Sequence, residues 1–293
     1  MKKCLTLPAI RELETSGFCV ATQPIVTGDV HGIPRVSGHE LLPRFREDEN
    51  SLSGPDKFEG GLSRDQLATL DAFMVQEAIG SAVSAETFDL FFSFNLRAAH
   101  LADAGFSDFL LSRLDVMSTV ERSRLMVEIS GCHLADGKLF SNYLPRLKKT
   151  LLKLAQMGVK ICVDKFSHRS NGFRLASQLP VNAVKFSPEA LLAEMRFHKG
   201  DCDESEAIDL EVMRSFGLSM KAWRCLVIAE GIEARAHTAF ADGLGATHYQ
   251  GSAFGQPLVE SELPDDLEEP EAINRSYRGG DREVNKIPAH SPC

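Results

Sequence analysis

GVKICVDKFSHRSNGFRLASQLPVNAVK, residues Gly158–Lys185, holds the plan of the chain. The run Val159–Val163 is short, rich in β-branched residues and does not alternate, as a strand covered on both faces requires. It stops on Asp164. Ala183–Val184 stops in the same way on Lys185, with a glycine-containing loop and a short helix of apolar spacing between them. Strand, loop, helix and strand make a βαβ unit. Where such units close into a barrel, the residues at the strand C-termini carry the chemistry.

The pattern repeats outward. Upstream, Asn142–Met157 sets Leu144, Leu147, Leu151 and Leu154 on one helical stripe, with Gly158 where a C-terminal cap belongs. Before it, Leu125–Val127 ends on Glu128 and Phe91–Phe94 ends on Asn95, separated by a helix around Phe106–Met117. Leu67, Leu70, Phe73, Met74, Ala78 and Ile79 recur at helical spacing. Phe18–Val26 alternates as a strand and Gly28–Gly32 is rich in turn formers, so a hairpin returns through Val36 to HELLPRF. There Glu40 and Arg44 interrupt apolar neighbours, and 46–63 reads as a loop. Downstream, 188–222 carries a solvated acidic run (Asp201, Asp203, Glu204, Glu206). It continues as a helix containing Ile208, Val212, Met213 and Phe216. Cys225–Ala229 then ends on Glu230, and a helix through Ala236–Leu244 leads to Thr247–Tyr249, ending on Gln250.

Alternating β and α units with no Gly-rich phosphate turn after the first strand predict an α/β fold of the TIM (β/α)8 type rather than a doubly wound sheet. Residues 1–17 read as a tether or short helix, 18–263 as the barrel, and the polar stretch 264–293 as a disordered tail. Glu40, Asn95, Glu128 and Asp164 are placed to meet at one rim, where oxygen donors suit Mg²⁺ or Mn²⁺ beside a phosphate.

Composition narrows the setting. With 43% hydrophobic residues over 293 positions, the chain has ample material for a core. A net charge of −9 argues against direct nucleic-acid binding and against an anionic membrane surface. The seven cysteines form no C-x-x-C pair, which suits neither a disulfide framework nor a zinc site. No apolar run is long enough for a signal peptide or a membrane span, so a cytoplasmic protein is expected.

At these residues the chain resembles the EAL family of cyclic di-GMP phosphodiesterases, from about residue 18 to 260. QPIV at Gln23–Val26 matches its opening strand, and ELLPRF at Glu40–Phe45 stands at the name-giving Glu-Ala-Leu. FNLRAAHL at Phe94–Leu101, VEISGCHL at Val127–Leu134, VDKF at Val163–Phe166 and LPVNAVKF at Leu179–Phe186 follow in family order. AEGIE at Ala229–Glu233 and YQGSAFGQPL at Tyr249–Leu258 are near-verbatim. The resemblance implies a modified TIM barrel in which Mg²⁺ or Mn²⁺ activates water to open cyclic di-GMP to pGpG. It implies that Glu40, Asn95, Glu128 and Asp164 hold the first metal, and that Lys185 and Glu230 act at the attacked phosphate and second metal. Gln23, Arg44, Lys185 and Gln250 would face the ligand.

The chain also departs from the family. Lys165 stands where the family has the second Asp of Asp-Asp-Phe-Gly, and Gly131 replaces the second Glu of Glu-Ile-Thr-Glu. Ser167–Gly172, with His168 and Arg169, replaces the family's Gly-Thr-Gly-Tyr-Ser-Ser loop; Leu41 and Pro43 alter the name-giving motif. An ammonium in place of a carboxylate changes the local charge by two units, and at ~4 Å a screened pair of charges is worth about 1–4 kcal/mol. A single metal site is therefore expected rather than two. Lys165 reads either as an internal cation paired with Asp164 or as an exposed lysine. Glu233 reads as a solvated residue. The chain is expected to be a catalytically impaired member, a cyclic di-GMP receptor or a regulator through protein contacts. Two alternatives are an active phosphodiesterase and a nucleotide-independent protein that binds a transcription or motility regulator. A homodimer is a further expectation that follows from the family.

Overall fold

The computed structural model describes residues 7–28, 34–48, 51–86, 89–130, 137–166 and 176–259. Gly131, the loop Ser167–Gly172 and the tail 264–293 lie outside the described residues. The alternation in FCVATQPIV and its return produces the hairpin β1 (Phe18–Gly28) and β2 (Pro34–Asp48), paired from Phe18↔Phe45 to Gly28↔Pro34 with one bulge at Ile25/Val26. β3 (Ser51–Ser53) extends the edge of β2. β4 (Phe91–Asn95), β5 (Leu125–Ser130), β6 (Lys160–Phe166), β7 (Ala183–Phe186), β8 (Leu226–Ala229) and β9 (His248–Tyr249) then add one after another. All run parallel to β2. β1 closes the ring by pairing antiparallel with both β2 and β9, and β10 (Leu258–Val259) lies on its outer edge. Setting aside β3 and β10, the ten described strands leave eight in a closed barrel. The expected TIM-type barrel is present, modified by one antiparallel strand.

Period-two alternation splits each strand between two environments. Ile25, Phe91, Met126, Cys162, Ala183 and Ile228 fill the barrel interior. Their neighbours of opposite parity, among them Phe92, Phe94, Val127, Ile161, Val163, Val184 and Val227, join the larger core beneath the helices. β5, β7 and β8 are apolar on both faces until the inward position turns polar, at Glu128, at Lys185 and, just past β8, at Glu230.

The helices form where the stripes predict them, with boundaries moved by capping. Ser63 and Gln66 make a reciprocal capping box at the start of Arg64–Ser84. The helix Gly137–Gln156 buries Leu147, Leu151 and Leu154, and Gly158 follows at φ 93, the left-handed conformation that ends a helix without strain. Of residues 1–17, the segment Leu7–Thr15 is a helix whose Ile10 is buried in the main core.

Two readings of the sequence need correction. The stretch 46–63 is not all loop: β2 continues to Asp48, and β3, the helical turn Pro55–Phe58 and Glu59–Gly61 follow. The segment 188–222 holds two helices, Pro188–Lys199 and Glu204–Ala222, with Asp203 capping the second through its carboxylate. The first was hidden because its inner face reads Ala190, Leu191, Glu194, a stripe broken by a charge. Arg214 resolves that charge, donating to Glu194 from Nε at 2.9 Å and from Nη2 at 2.7 Å.

Candidate ligand site at the mouth of the barrel

Strand register carries the expected residues to one end of the barrel. Gln23 pairs with Glu40 across the hairpin, Glu40 lies beside Ser93, and Asn95 beside Glu128. Because strand parity points Glu40, Asn95, Glu128, Asp164 and Lys185 to the same side as the interior residues below them, they converge above that apolar layer. Lys185 stands at the centre with no exposed surface. Its Nζ donates to Glu230 Oε1 at 2.8 Å, Glu128 Oε2 at 2.9 Å and Glu40 Oε2 at 3.0 Å. Asn95 Nδ2 donates to Glu40 Oε1 at 2.9 Å. Gln250 Nε2 donates to Glu40 Oε2 at 2.7 Å and to Gln23 Oε1 at 3.1 Å, and Gln23 Nε2 donates to the Gly255 carbonyl at 3.0 Å. Both glutamine amides, expected to face a ligand, are engaged in holding Glu40 and the chain after β9.

The charges do not balance. Four carboxylates, Glu40, Glu128, Asp164 and Glu230, surround one ammonium. Burial pushes the Glu128 carboxyl well above the usual carboxylate range; Lys185 opposes the shift, while Glu40 and Asp164 add to it by repulsion. Asp164 is raised by burial and by repulsion from Glu40, against the pull of Lys185 and of Lys165, and Glu230 is raised to about 7 by burial, against the pull of Lys185. For Lys185 burial opposes the charge, but the combined attraction of Glu128, Glu230, Glu40 and Asp164 wins and holds it well above its ordinary value. Glu128 Oε1 and the Ser93 hydroxyl are buried against one another; the hydroxyl favours the ionised carboxylate, without a hydrogen bond of good geometry.

Two cations stand near the rim, Arg44 and Lys165. Arg44, on the same face of β2 as Glu40 and four residues beyond it, is half-buried and donates from Nη1 to the Pro43 carbonyl at 3.0 Å. Glu40, Cys19 and Asp56 lie within Coulombic reach of it. Lys165 is exposed, and its side chain forms no ion pair with Asp164; instead its backbone N–H donates to Asp164 Oδ1 at 2.7 Å. The internal-pair reading of Lys165 therefore gives way to the exposed one. Glu233 is also exposed, as expected.

Sequence reasoning missed one group. Asp71, 2% exposed, accepts from the Arg97 guanidinium, from the Arg97 backbone N–H at 3.0 Å and contacts His100 Nδ1 at 2.7 Å, while Arg97 Nη2 reaches Glu59 Oε1 at 2.6 Å. This network fixes the segment that follows Asn95. The available signal was a carboxylate between Leu70 and Phe73 on an apolar helical face.

The donors present suit a hard cation. The donors that could reach a cation are all oxygens, with an excess of buried carboxylate, which is the chemistry of Mg²⁺ or Mn²⁺. Among the described residues no three His, Cys, Asp or Glu side chains are already drawn together as a ligand set, because Lys185 takes up Glu40, Glu128 and Glu230. The residues fit one cation at Glu40, Asn95, Glu128 and Asp164. They do not fit a second beside Lys165, where the chain offers an ammonium.

The sequence profile of the EAL domain matches residues 9–257. The chain belongs to the EAL domain family. Among curated relatives of this EAL domain, the cyclic di-GMP phosphodiesterase NbdA of Pseudomonas aeruginosa is 24% identical over 263 residues, covering 87% of this chain and 30% of its own length. The cyclic di-GMP phosphodiesterase PdeF of Escherichia coli K12 is 26% identical over 277 residues, covering 90% and 32%. The chain thus spans about a third of the length of these relatives. An EAL domain protein from Listeria monocytogenes superimposes with a TM-score of 0.70 at 18% identity, covering 92% of this chain and 96% of its own. The FimX EAL domain of Pseudomonas aeruginosa, solved bound to c-di-GMP, gives 0.64 at 21% identity, covering 86% and 96%. These two likenesses establish the shared fold. No helix among the described residues is long and apolar enough to cross a membrane.

Proposed function

We propose that this EAL domain is a cyclic di-GMP receptor with impaired hydrolysis, transmitting nucleotide occupancy through protein contacts. The observation that carries the reading is the state of Lys185. Its ammonium is fully buried and satisfied by Glu40, Glu128 and Glu230, so the groups expected to act on a phosphodiester are engaged with one another. The exposed Lys165 adds a cation where a second metal would need a carboxylate. Relatives named as cyclic di-GMP phosphodiesterases and the FimX neighbour bound to c-di-GMP support the choice of nucleotide. A divalent ion, when bound, would supply Lewis-acid polarisation of a phosphoryl oxygen. This chain's own part is to hold it with Glu40, Asn95, Glu128 and Asp164 and to fix Glu40 through Asn95 and Gln250.

A second reading, a slow single-metal phosphodiesterase, is favoured by the excess of buried carboxylate around Glu128. Calorimetric titration with cyclic di-GMP in Ca²⁺ and in EDTA, followed by chromatography of the nucleotide after incubation in Mg²⁺ or Mn²⁺, separates the two. The receptor reading expects micromolar or tighter binding and no multiple-turnover release of pGpG. Sustained pGpG release that disappears in Glu40→Ala establishes the phosphodiesterase. Absence of binding in both buffers overturns both readings.

A further inference from the structure

We infer that Lys165 is a phosphate-binding residue of this domain, its ammonium seating an anionic phosphodiester over a negatively charged mouth without help from a metal ion. This rests on the nucleotide-receptor reading and adds the residue that makes an anion tolerable there.

The difficulty for any phosphodiester is electrostatic. It must approach Glu40, Glu128, Asp164 and Glu230, whose only fully buried counter-charge among the described residues is Lys185. Like charges at close range in a partly dry site repel strongly. The described cations around the mouth are few. Lys185 has no exposed surface and three carboxylate partners. Arg97 is held between Asp71 and Glu59. Arg44 is half-buried, bonded to the Pro43 carbonyl, and stands on β2 across the ring from β6. Lys165 alone among these is exposed with no ion-pair partner among the described residues.

The backbone explains how Lys165 reaches that position. Along β6, Ile161 and Val163 face the outer core while Cys162 lies in the barrel interior, and Asp164 shares the parity of Cys162. Phe166 is again in the outer core, stacked on Phe216 at 4.3 Å and edge-on to Phe186. Alternation would give that outward place to residue 165. The ladder with β7 is broken between Val163 and Phe166, so Lys165 is the inserted residue of a β-bulge. Its φ is 51, in the left-handed region, and Asp164 Oδ1 accepts its N–H at 2.7 Å to pin the turn. Strained backbone of this kind persists where the surroundings fix it, and it re-aims a side chain. The Lys165 charge is felt by Asp164 on one side and by Glu189, in the first turn of Pro188–Lys199, on the other. Glu189 is exposed and forms no salt bridge with Lys165, so it competes weakly with a phosphate.

The test is calorimetric titration of the full chain with cyclic di-GMP, in EDTA and in Ca²⁺, for the wild type and for Lys165→Asn, Lys165→Glu and Lys165→Arg. Asn tolerates the left-handed backbone, so it removes the charge with little strain. The wild type should bind in EDTA. Lys165→Asn should weaken binding about tenfold or more, the usual worth of a hydrogen bond to a charged group. Lys165→Glu should weaken it further, Lys165→Arg should largely preserve it, and added salt should narrow the gap between wild type and Lys165→Asn. Thermal unfolding of each variant reports folding, and Lys165→Glu carries the test if Lys165→Asn does not fold. Wild-type binding matched by Lys165→Asn and Lys165→Glu overturns the inference and leaves the receptor reading standing. Binding that needs Ca²⁺ and is lost in EDTA also overturns it. No wild-type binding in either buffer overturns the receptor reading, and the inference falls with it.

Discussion

At the scale of single residues, Lys185 determines whether the mouth of the barrel is stable. Three carboxylates lie within 3.0 Å of its Nζ, and none of its side chain meets solvent. Removing one partner of a buried ion pair costs about 3–5 kcal/mol, because the charge left behind is uncompensated. Lys185→Met, similar in length and apolar, should therefore lose stability of about that size at pH 8, read by denaturant unfolding. The loss should shrink at pH 5, since Glu230 titrates near 7 and Glu128 and Asp164 sit above their ordinary range, so protons neutralise what the lysine no longer can. An equal loss at both pH values would point to packing and against charge. The polar strand ends were legible in the sequence, because each follows an apolar run whose parity fixes its direction. The saturation of Lys185 was not legible. It depends on side chains of β2, β5 and β8 arriving around β7, a relation set by barrel stagger and not by local pattern.

At the scale of elements, close approach can outweigh helix propensity. Gly217 lies inside Glu204–Ala222, where alanine would ordinarily gain about 1 kcal/mol in helix propensity. A Cβ at this position would sit 2.0 Å from the Leu244 carbonyl oxygen and 3.1 Å from the Phe186 ring. Both the helix and the loop after Thr238–Gly243 would have to move, and overpacking of this kind costs about 1–3 kcal/mol. Gly217→Ala should destabilise the protein on balance, and a raised unfolding temperature would refute the close packing described here. The sequence located this helix through Ile208, Val212, Met213 and Phe216, but apolar character alone does not mark its inner face: Ile208 and Val212 are exposed, at 61% and 44%. The inner face is Leu210, Met213, Gly217 and Met220, and a glycine in contact leaves no mark on a hydrophobic pattern. The Lys165 bulge was equally hidden, since an inserted residue is visible only once its partner strand is known.

At the scale of the whole molecule, a divalent cation bound at the mouth would compete with protons for the same charges. Burial lowers His39 and His248 from 6.5 to about 4, so between those values the unfolded chain binds more protons and stability falls as pH drops. Glu230, raised from 4.5 to about 7, does the reverse: the folded chain takes up its proton first, and stability grows as pH falls through that window. Glu128 and Asp164 act in the same direction as Glu230. In EDTA the histidines and Glu230 oppose one another between about pH 6.5 and 4.5; below about 4.5 Glu230 adds no further gain while the histidine loss runs on to about 4. A divalent cation changes this balance because it requires Glu128 and Asp164 ionised. Ligand binding to the folded state alone adds about 2.7 kcal/mol at a hundredfold excess over Kd. Millimolar Mn²⁺ should therefore raise Tm at pH 8 and lose that effect at pH 5. A shift of equal size at both pH values would place the ion away from the carboxylates of the mouth. No shift at either pH would mean that Lys185 already supplies the positive charge the barrel mouth accepts, and the single-cation site would have to be abandoned.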